Sequence, residues 1–292
     1  MAKGGQDIRR RIRFVTNTQQ VTKAMKMVAA ARLRKSEGRT RASRPYSDTL
    51  REVMRNLSGA GASVPHPFLQ HIAPDVPRVL LVLLTSEKGL CGSFNANLIR
   101  KAVAFIKEKN TAGREVSIIC VGKKGYGFAE GAGLDIAGNY PSFTHTTTFA
   151  ELKPLTSQIT GSYLGEEVSE VHLLYARFIH VVKNEPTLIR LLPIEELPEE
   201  DEAGYSLEYD LQPSPEELLS ALLPRYFQTV LFQAIIENFT SENGSRMVAM
   251  DNATNAAGDM IEELTLQYNK ARQEGITLEL LDIVGGAEAL KG

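Results

Sequence analysis

From about Asp7 to Leu57 the chain is built of good helix formers, Ala29-Ala30-Ala31 among Met, Lys, Arg and Gln, and only Gly38 and Pro45 speak against a continuous helix. Its apolar positions are sparse and ordered. Ile8, Ile12 and Val15 follow at four- and three-residue steps, and the stripe then shifts to Val21, Met25 and Val28, with Thr22 and Ala29 beside it. Apolar and small residues at those steps predict a narrow coiled-coil seam, and the shift predicts one that is not a clean heptad. About 50 helical residues at about 1.5 Å each make a rod on the order of 75 Å, too long to lie within one compact domain.

The texture changes twice more. Residues 59–77, Gly-Ala-Gly-Ala-Ser followed by Pro65, Pro67, Pro74 and Pro77, read as a linker. Val79–Thr85 and Val116–Val121 are continuous β-type runs, each followed by a Gly-containing turn, and helical stretches are expected at Ala96–Lys109 and around Phe149–Leu164. Val171–Phe178 and Thr187–Leu192 read as two strands joined around Asn184-Glu185-Pro186, close enough for a hairpin. Buried-looking strands alternating with helices predict an α/β domain with a mainly parallel sheet. Beyond the acidic loop 193–213, Ser214-Pro215-Glu216-Glu217 is a strong helix start, Pro224 predicts a kink or restart, and no further proline interrupts the chain as far as Val284. The seam there reads Met250, Ala253, Ala257, Met260, Leu264, Tyr268 and Ala271. The expected fold is therefore a long antiparallel coiled coil of residues 1–58 and 214–287, with an α/β domain at 78–192 between them.

Composition bounds the answer. An apolar share of 43% argues against disorder, and the longest aliphatic run, Val79–Leu84, is far short of the roughly 20 residues of a membrane span. No apolar block follows the basic N-terminus as a secretory leader requires, and the two cysteines, Cys91 and Cys120, suggest a reduced compartment without disulfides. Net charge is only −2 but very unevenly placed. Residues 1–58 carry fifteen basic groups against four acids, while no Lys or Arg falls between Arg190 and Arg225, where ten acids do. Such polarity points to a partner more than to a fold.

Candidate chemistry is thin. Gly89-Leu-Cys-Gly92 and Gly122-Lys-Lys-Gly-Tyr-Gly127 follow apolar strands but match neither GxxxxGK[ST] nor GxGxxG in register, and glycine at such corners is common for backbone reasons. Cys91 has no nearby His and reads as a small buried thiol. His66, His71, His145, His172 and His180 are scattered without metal-ligand spacing, and the carboxylates of 195–217 read as a solvated acidic surface. No catalytic centre, cofactor site or metal site is expected, so function falls to the rods. A basic rod fits three settings. Nucleic acid offers counterion release, but a groove-fitting element and interleaved aromatics are wanting, Phe14 being the only aromatic before Tyr46. A membrane surface asks for large apolar residues on the opposite face. A basic shaft along an acidic protein partner accounts for both rods, and pattern alone favours it only slightly over a free-standing coiled-coil adaptor or nucleic-acid binder.

Particular motifs carry the matter further. Asp7-Ile-Arg-Arg-Arg-Ile12, Asn17-Thr-Gln-Gln-Val-Thr-Lys-Ala-Met-Lys-Met-Val-Ala-Ala30, Ser43-Arg-Pro-Tyr46, Ser86-Glu-Lys-Gly-Leu-Cys-Gly-Ser-Phe-Asn95, Glu185-Pro-Thr187, Ser245-Arg-Met-Val-Ala-Met-Asp-Asn-Ala-Thr254, Tyr268-Asn-Lys-Ala-Arg-Gln273 and Ile276-Thr277 closely resemble, in order and over essentially the whole length, the γ subunit of F-type ATP synthases. The resemblance implies a central rotor shaft inside an α3β3 catalytic ring, a domain that meets the ε subunit and the c-ring of the membrane sector, proton-driven rotation, a place at the cytoplasmic face of the bacterial plasma membrane, and nucleotide chemistry done by the ring alone. It further implies partner contacts at Lys23 and Arg246, facing an acidic loop of β, and at Arg272, Gln273 and Thr277, the upper contact with β. A solvated basic face would equally explain Lys23 and Arg246, and an ordinary surface or cap position Gln273 and Thr277. Two departures matter: Asn243-Gly244-Ser245 replaces alanine-rich helix, and Gly275 falls in the upper contact, so both glycines are expected to be soft points. Residues 193–215 have no cysteine and no room for the regulatory insertion of photosynthetic members.

Overall fold

A computed structural model of the chain describes residues 3–59, 66–71, 75–194 and 214–289; the acidic stretch 195–213 and parts of the expected linker, 60–65 and 72–74, lie outside them. The chain forms two compact units, Ala30–Ser245 and Met1–Ala29 with Arg246–Gly292, and both long helices, α1 (Lys3–Gly59) and α5 (Pro215–Ala289), contribute to each.

Ala30–Ser245 is built on a five-stranded sheet, β1 (Arg78–Leu84), β2 (Glu115–Val121), β3 (Asp135–Tyr140), β4 (Glu170–His180) and β5 (Lys183–Leu192), in the order β3-β2-β1-β4-β5. Parallel pairing joins the first four, and β5 closes one edge antiparallel to β4. The run of apolar residues in β1 follows from this position, since a central parallel strand is covered on both faces. Val79, Leu81 and Leu83 meet α2 (Phe94–Thr111) and α3 (Lys123–Gly131) through Phe94, Leu98, Phe105 and Ala129. Leu80, Val82 and Leu84 meet α4 (Lys153–Leu164) through Leu155, Ile159 and Tyr163, and α5 through Leu223, Phe227 and Leu231.

Three expectations for this unit are corrected. Gly122-Lys-Lys-Gly-Tyr-Gly is not an extended turn: Gly122 caps α3, and β3 follows it. Three glycines weaken the helical signal of α3, and β3 (Asp-Ile-Ala-Gly-Asn-Tyr) is an edge strand poor in β-formers. The hairpin turns at Val181–Val182, and Pro186 lies inside β5, where an edge strand tolerates a residue with no N–H to donate. Finally, α5 does not restart at Pro224 but continues through it, as α1 does through Pro45. An interior proline costs a helix about 3 kcal/mol; burial of the flanking Leu223 and Phe227 in the core offsets that locally. One window of α5 is long and apolar enough by composition to cross a membrane, contrary to the expectation from run length, but 50% of it is buried within the protein, as in a core helix.

The second unit is a pair of helical segments. Contacts run from Lys26 to Asp251, Thr22 to Thr254 and Gln19 to Thr254, so residue numbers rise on one helix as they fall on the other: the pairing is antiparallel.

Candidate functional site: the helix pair and its outward faces

From Ile8 to Ala29 of α1, the line Ile8, Ile12, Val15, Gln19, Thr22, Lys26 and Ala29 is shielded in an unbroken alternation of four- and three-residue steps, with Thr16 and the expected Met25 half-buried beside it. The seam is therefore a clean heptad, contrary to expectation. It does not shift to Val21 and Val28, which are 58% and 52% exposed; it keeps its phase by accepting three polar residues in succession. On α5 the matching line is Met250, Thr254, Ala257, Ile261, Leu264, Tyr268 and Ala271, so Ile261 takes the place expected for Met260, which is 51% exposed. Lys26 Nζ lies 2.6 Å from Asp251 Oδ1, the Thr22 and Thr254 hydroxyls are 2.8 Å apart, and Gln19 Nε2 donates to the Thr254 carbonyl at 3.3 Å.

The charge of this unit is split lengthwise. Residues 3–29 hold seven bases and one acid, whereas 246–289 hold three bases and eight acids. Part of the anionic surrounding that the basic N-terminal segment calls for is thus the facing helix itself, and the shaft is not uniformly basic.

The residues expected to meet partners fall into distinct settings. Lys23 is exposed on one flank of the α1 seam, while the exposed Phe14, Val21 and Val28 lie on the other side of the helix. Arg246 is instead buried, at 8% exposure, in line with the α5 seam. Arg272, Gln273 and Thr277 are all exposed, and the Thr277 hydroxyl donates to the Gln273 carbonyl at 3.0 Å, which satisfies the helix locally and leaves the outward surface open. From Ile276 to Ala287 every position is exposed, including Leu278, Leu280, Leu281, Ile283 and Val284. A helix end apolar on several sides, with Glu279 and Asp282 on the remaining one, is an apolar surface of the kind that partners cover.

In the α/β unit the crevice at the strand ends is filled. In a sheet of this order the customary site is the crevice at the carboxyl ends of the strands where the order reverses, here beside β1 and β4. Pairing of β1 with β4 stops at Leu83–Leu174, and α5 then supplies what the missing strand would: Asn238 accepts from the Ala176 N–H at 2.9 Å and Ser241 donates to its carbonyl at 2.8 Å. Asn238, Glu242 and Ile235 leave beside Thr85 and Ser142 a void of only ≈ 10 Å³. The glycine corner is closed too. Gly122, at φ +98°, approaches so near that a β-carbon would stand 2.5 Å from the Thr85 carbonyl oxygen, while the Gly125 N–H donates to Thr85 Oγ1 at 2.8 Å. Both cysteines are buried; Cys91 accepts from Asn95 Nδ2 at 3.2 Å, and burial pushes the Cys120 thiol up to about 11, away from thiolate chemistry.

Sequence reading missed Arg39. Its guanidinium donates to the carbonyls of His145 and Thr147, the latter at 2.6 Å, and lies 5.2 Å over the Phe232 ring, on which Phe149 stacks at 4.3 Å. One side chain of α1 thereby holds the loop after β3 against α5. Only the aromatics at 149 and 232 hinted at it, and they are 83 positions apart in the chain.

Comparison with known proteins gives a single family. The family model described as ATP synthase matches residues 4–290. The ATP synthase gamma chain of Symbiobacterium thermophilum is 41% identical over 292 residues, all of both chains, and that of Geobacter metallireducens 43% identical over 286 residues, 98% of each. Among solved structures, a chain of the Euglena gracilis mitochondrial ATP synthase (OSCP/F1/c-ring, rotational state 3) superposes with a TM-score of 0.70 at 20% identity, covering 98% of this chain and 94% of that one. A chain of the Tetrahymena thermophila mitochondrial central stalk and c-ring gives 0.59 at 24% identity over 80% of this chain and 99% of that one. The structures bear on the fold and the full-length relatives on descent: with its helix pair, its filled crevice and such relatives over 98–100% of its length, the chain belongs to the ATP synthase gamma-chain family.

Proposed function

We propose that this chain is the central rotor stalk of an F-type ATP synthase: its helix pair turns inside a ring of alternating α and β subunits, and its α/β unit meets the ε subunit and the c-ring of the membrane sector. It performs no nucleotide chemistry and binds no cofactor directly. The observation that carries this reading is the inequality of the pair's faces. One helix is basic outside an apolar and polar seam, the other acidic, so the cross-section has no threefold symmetry. Three identical β subunits around it must each meet a different face, and each β conformation is favoured to the extent that it binds the face it meets. A contact equally tight in every orientation would move nothing. Because binding linkage is reciprocal, ATP hydrolysis in the ring should drive the stalk in reverse.

Proton movement at the cytoplasmic face of the bacterial membrane would supply the energy, roughly 2.3 kcal/mol per charge per 100 mV. Lys23, exposed on the flank of the seam, suits an acidic loop of β. Arg272, Gln273 and Thr277, exposed with the apolar end beyond them, suit the upper contact with β. Arg246 shares the α5 seam, so its contribution to the β contact passes through the pair's surface near Met250. Coexpression with cognate α and β subunits tests the reading: the chain should copurify with them and be required for sustained ATP turnover. A ring that turns over ATP equally well without it overturns the proposal.

A further inference from the structure

We propose that Gln19, Thr22 and Lys26 of α1, together with Asp251, Thr254 and Gly258 of α5, form a phase lock that fixes the rotation and register of the two helices and hence which residues the pair turns outward. This inference concerns only the pair itself and stands whatever surrounds it.

The argument begins with what the seam lacks. Above and below the polar stretch, α1 offers Ile8, Ile12 and Val15 on one side and Ala29 on the other, and α5 offers Ile261 and Leu264 against Met250. Between them α5 presents Ala253, Ala257 and Gly258, small residues that let a helix approach but give no knob to seat in a hole. An apolar α1 would find several rotations nearly equivalent there. Polar groups remove that freedom because hydrogen bonds are directional.

Each contact depends on the residue that faces it across the seam. The side chain of Gln19 reaches the Thr254 carbonyl across Gly258, where a β-carbon would stand 3.2 Å from Nε2. Thr22 and Thr254 each carry a single hydroxyl hydrogen, and Thr254 also has the Met250 carbonyl at 2.7 Å and Thr22 the Gln19 carbonyl at 3.0 Å. Either chain of donation, Thr22 to Thr254 to Met250 or Thr254 to Thr22 to Gln19, needs the two hydroxyls face to face. Lys26 and Asp251 retain side-chain exposures of 40% and 43%, so their pair adds little stability but charges a slipped register: a slide of one heptad, about 10 Å, sets Lys26 beside Gly258 and strands Asp251. A polar residue at a seam position that specifies register at a cost in stability is the best-attested use of such groups.

Spin labels test this in the full chain. Cysteines placed at the exposed positions Gln20 and Asn255 accept label while the buried Cys91 and Cys120 stay unreactive, and the electron-spin distance distribution between them should show one narrow population. Combining Thr22→Val, Lys26→Leu and Asp251→Leu should keep the helical circular dichroism and an equal or higher melting temperature, yet broaden the distribution or add a second population. The exchange Lys26→Asp with Asp251→Lys should return a single population. A narrow single distance in the apolar variant, a charge exchange as broad as that variant, or loss of helicity in the apolar variant each overturns the proposal.

Discussion

The two units of this protein spend residues in opposite ways. In Ala30–Ser245, Val79–Leu84 of β1 are at most 1% exposed and a separate core lies on each face of the sheet. In the helix pair, among the described residues, only Ala29, Arg246, Met250, Ala257 and Leu264 are buried, and the middle of the seam is polar. Two layers around a sheet remove apolar surface on both sides, whereas a two-helix seam covers one stripe of each helix and leaves the rest to solvent or to a partner. Hence the α/β unit is equipped to hold itself, and the pair is equipped to be held. The segment whose outward faces carry the proposed function is the one with the least packing of its own, as expected of elements that must repack against successive partners.

The widest test of that contrast is truncation on each side of it. Phe227→Ala removes a ring that is 2% exposed between β1 and Phe68 and should cost the α/β unit about 3–5 kcal/mol. Leu264→Ala, nearly as buried at 8% but facing one helix only, leaves a gap open to water and should cost about 1–2 kcal/mol. Urea unfolding by circular dichroism, with amide exchange to assign the loss to a unit, measures both. Equal costs would erase the distinction.

A narrower test is Arg39→Lys. Lysine keeps the charge but cannot reach two carbonyls in one plane or lie flat over Phe232. Losing one charge-assisted bond should lower the stability of the α/β unit by about 1–3 kcal/mol and raise amide exchange in residues 144–149, with the helix pair unaffected. Unchanged exchange in that loop would show Arg39 to be incidental.

Acid should act on the α/β unit through one cluster. Lys109 Nζ and His172 Nε2 both donate to Glu170 Oε2 at 2.8 Å, beside Phe105. Burial alone would raise the Glu170 carboxyl, but hydrogen bonds from Lys109 and His172 outweigh it and hold the group at about 2. Burial of His172 lowers its pKa below 6.5, and its bond to Glu170 only partly opposes this. Both folded values lie under the unfolded ones, so both groups bind more protons when unfolded. The histidine's contribution is present above pH 6.5 and is lost as pH falls through its lowered value; the carboxylate's is present above about 4.5 and is lost towards about 2. The unfolding midpoint should therefore drop from pH 7 towards pH 3, and Glu170→Gln should flatten the lower part of that fall. A wild-type midpoint level over this range would refute the assignment.

The same difference between the units explains what the chain's pattern revealed. Elements with strong local signals were legible: the two long helices, and β1, β2 and β4 as apolar runs. The phase of the seam was not, because a coiled coil can hold its heptad through Gln19, Thr22 and Lys26 only with Thr254 and Asp251 opposite, and those lie more than 220 positions away in the chain. Apolarity pointed to Val21 and Val28, which are outward. Nor could β3 or α3 be read, since an edge strand and a short glycine-rich helix take their form from the β2 edge and the Thr85 corner. The filled crevice depended on Asn238 and Ser241, ordinary polar residues until β1 ends beside them. Motifs, by contrast, marked the candidate contact positions, though Arg246 proved to be shielded where Lys23 is open.

Two glycines on α5, one in each unit, give the finest comparison. Both look like weak points by helix propensity, since glycine costs an exposed helix interior about 0.5–1 kcal/mol against alanine. Gly275 has nothing within 4 Å of where a β-carbon would stand, so Gly275→Ala should return that amount as added stability of the pair, read by slowed amide exchange around residue 275. Gly244 is buried, and there a β-carbon would stand 3.2 Å from the Val181 carbonyl oxygen and 3.7 Å from Phe178. That oxygen belongs to the tight turn between β4 and β5, with Asn184 bonded to Ser245 at 2.7 Å beside it, so it can yield little. Crowding should cancel the propensity gain, and Gly244→Ala should be neutral or destabilising by up to about 1 kcal/mol. Gly244 is then where the hairpin comes close to the helix, not a soft point in it, while Gly275 alone keeps that description. If Gly244→Ala stabilised the protein as much as Gly275→Ala, close approach would not be the reason glycine stands there.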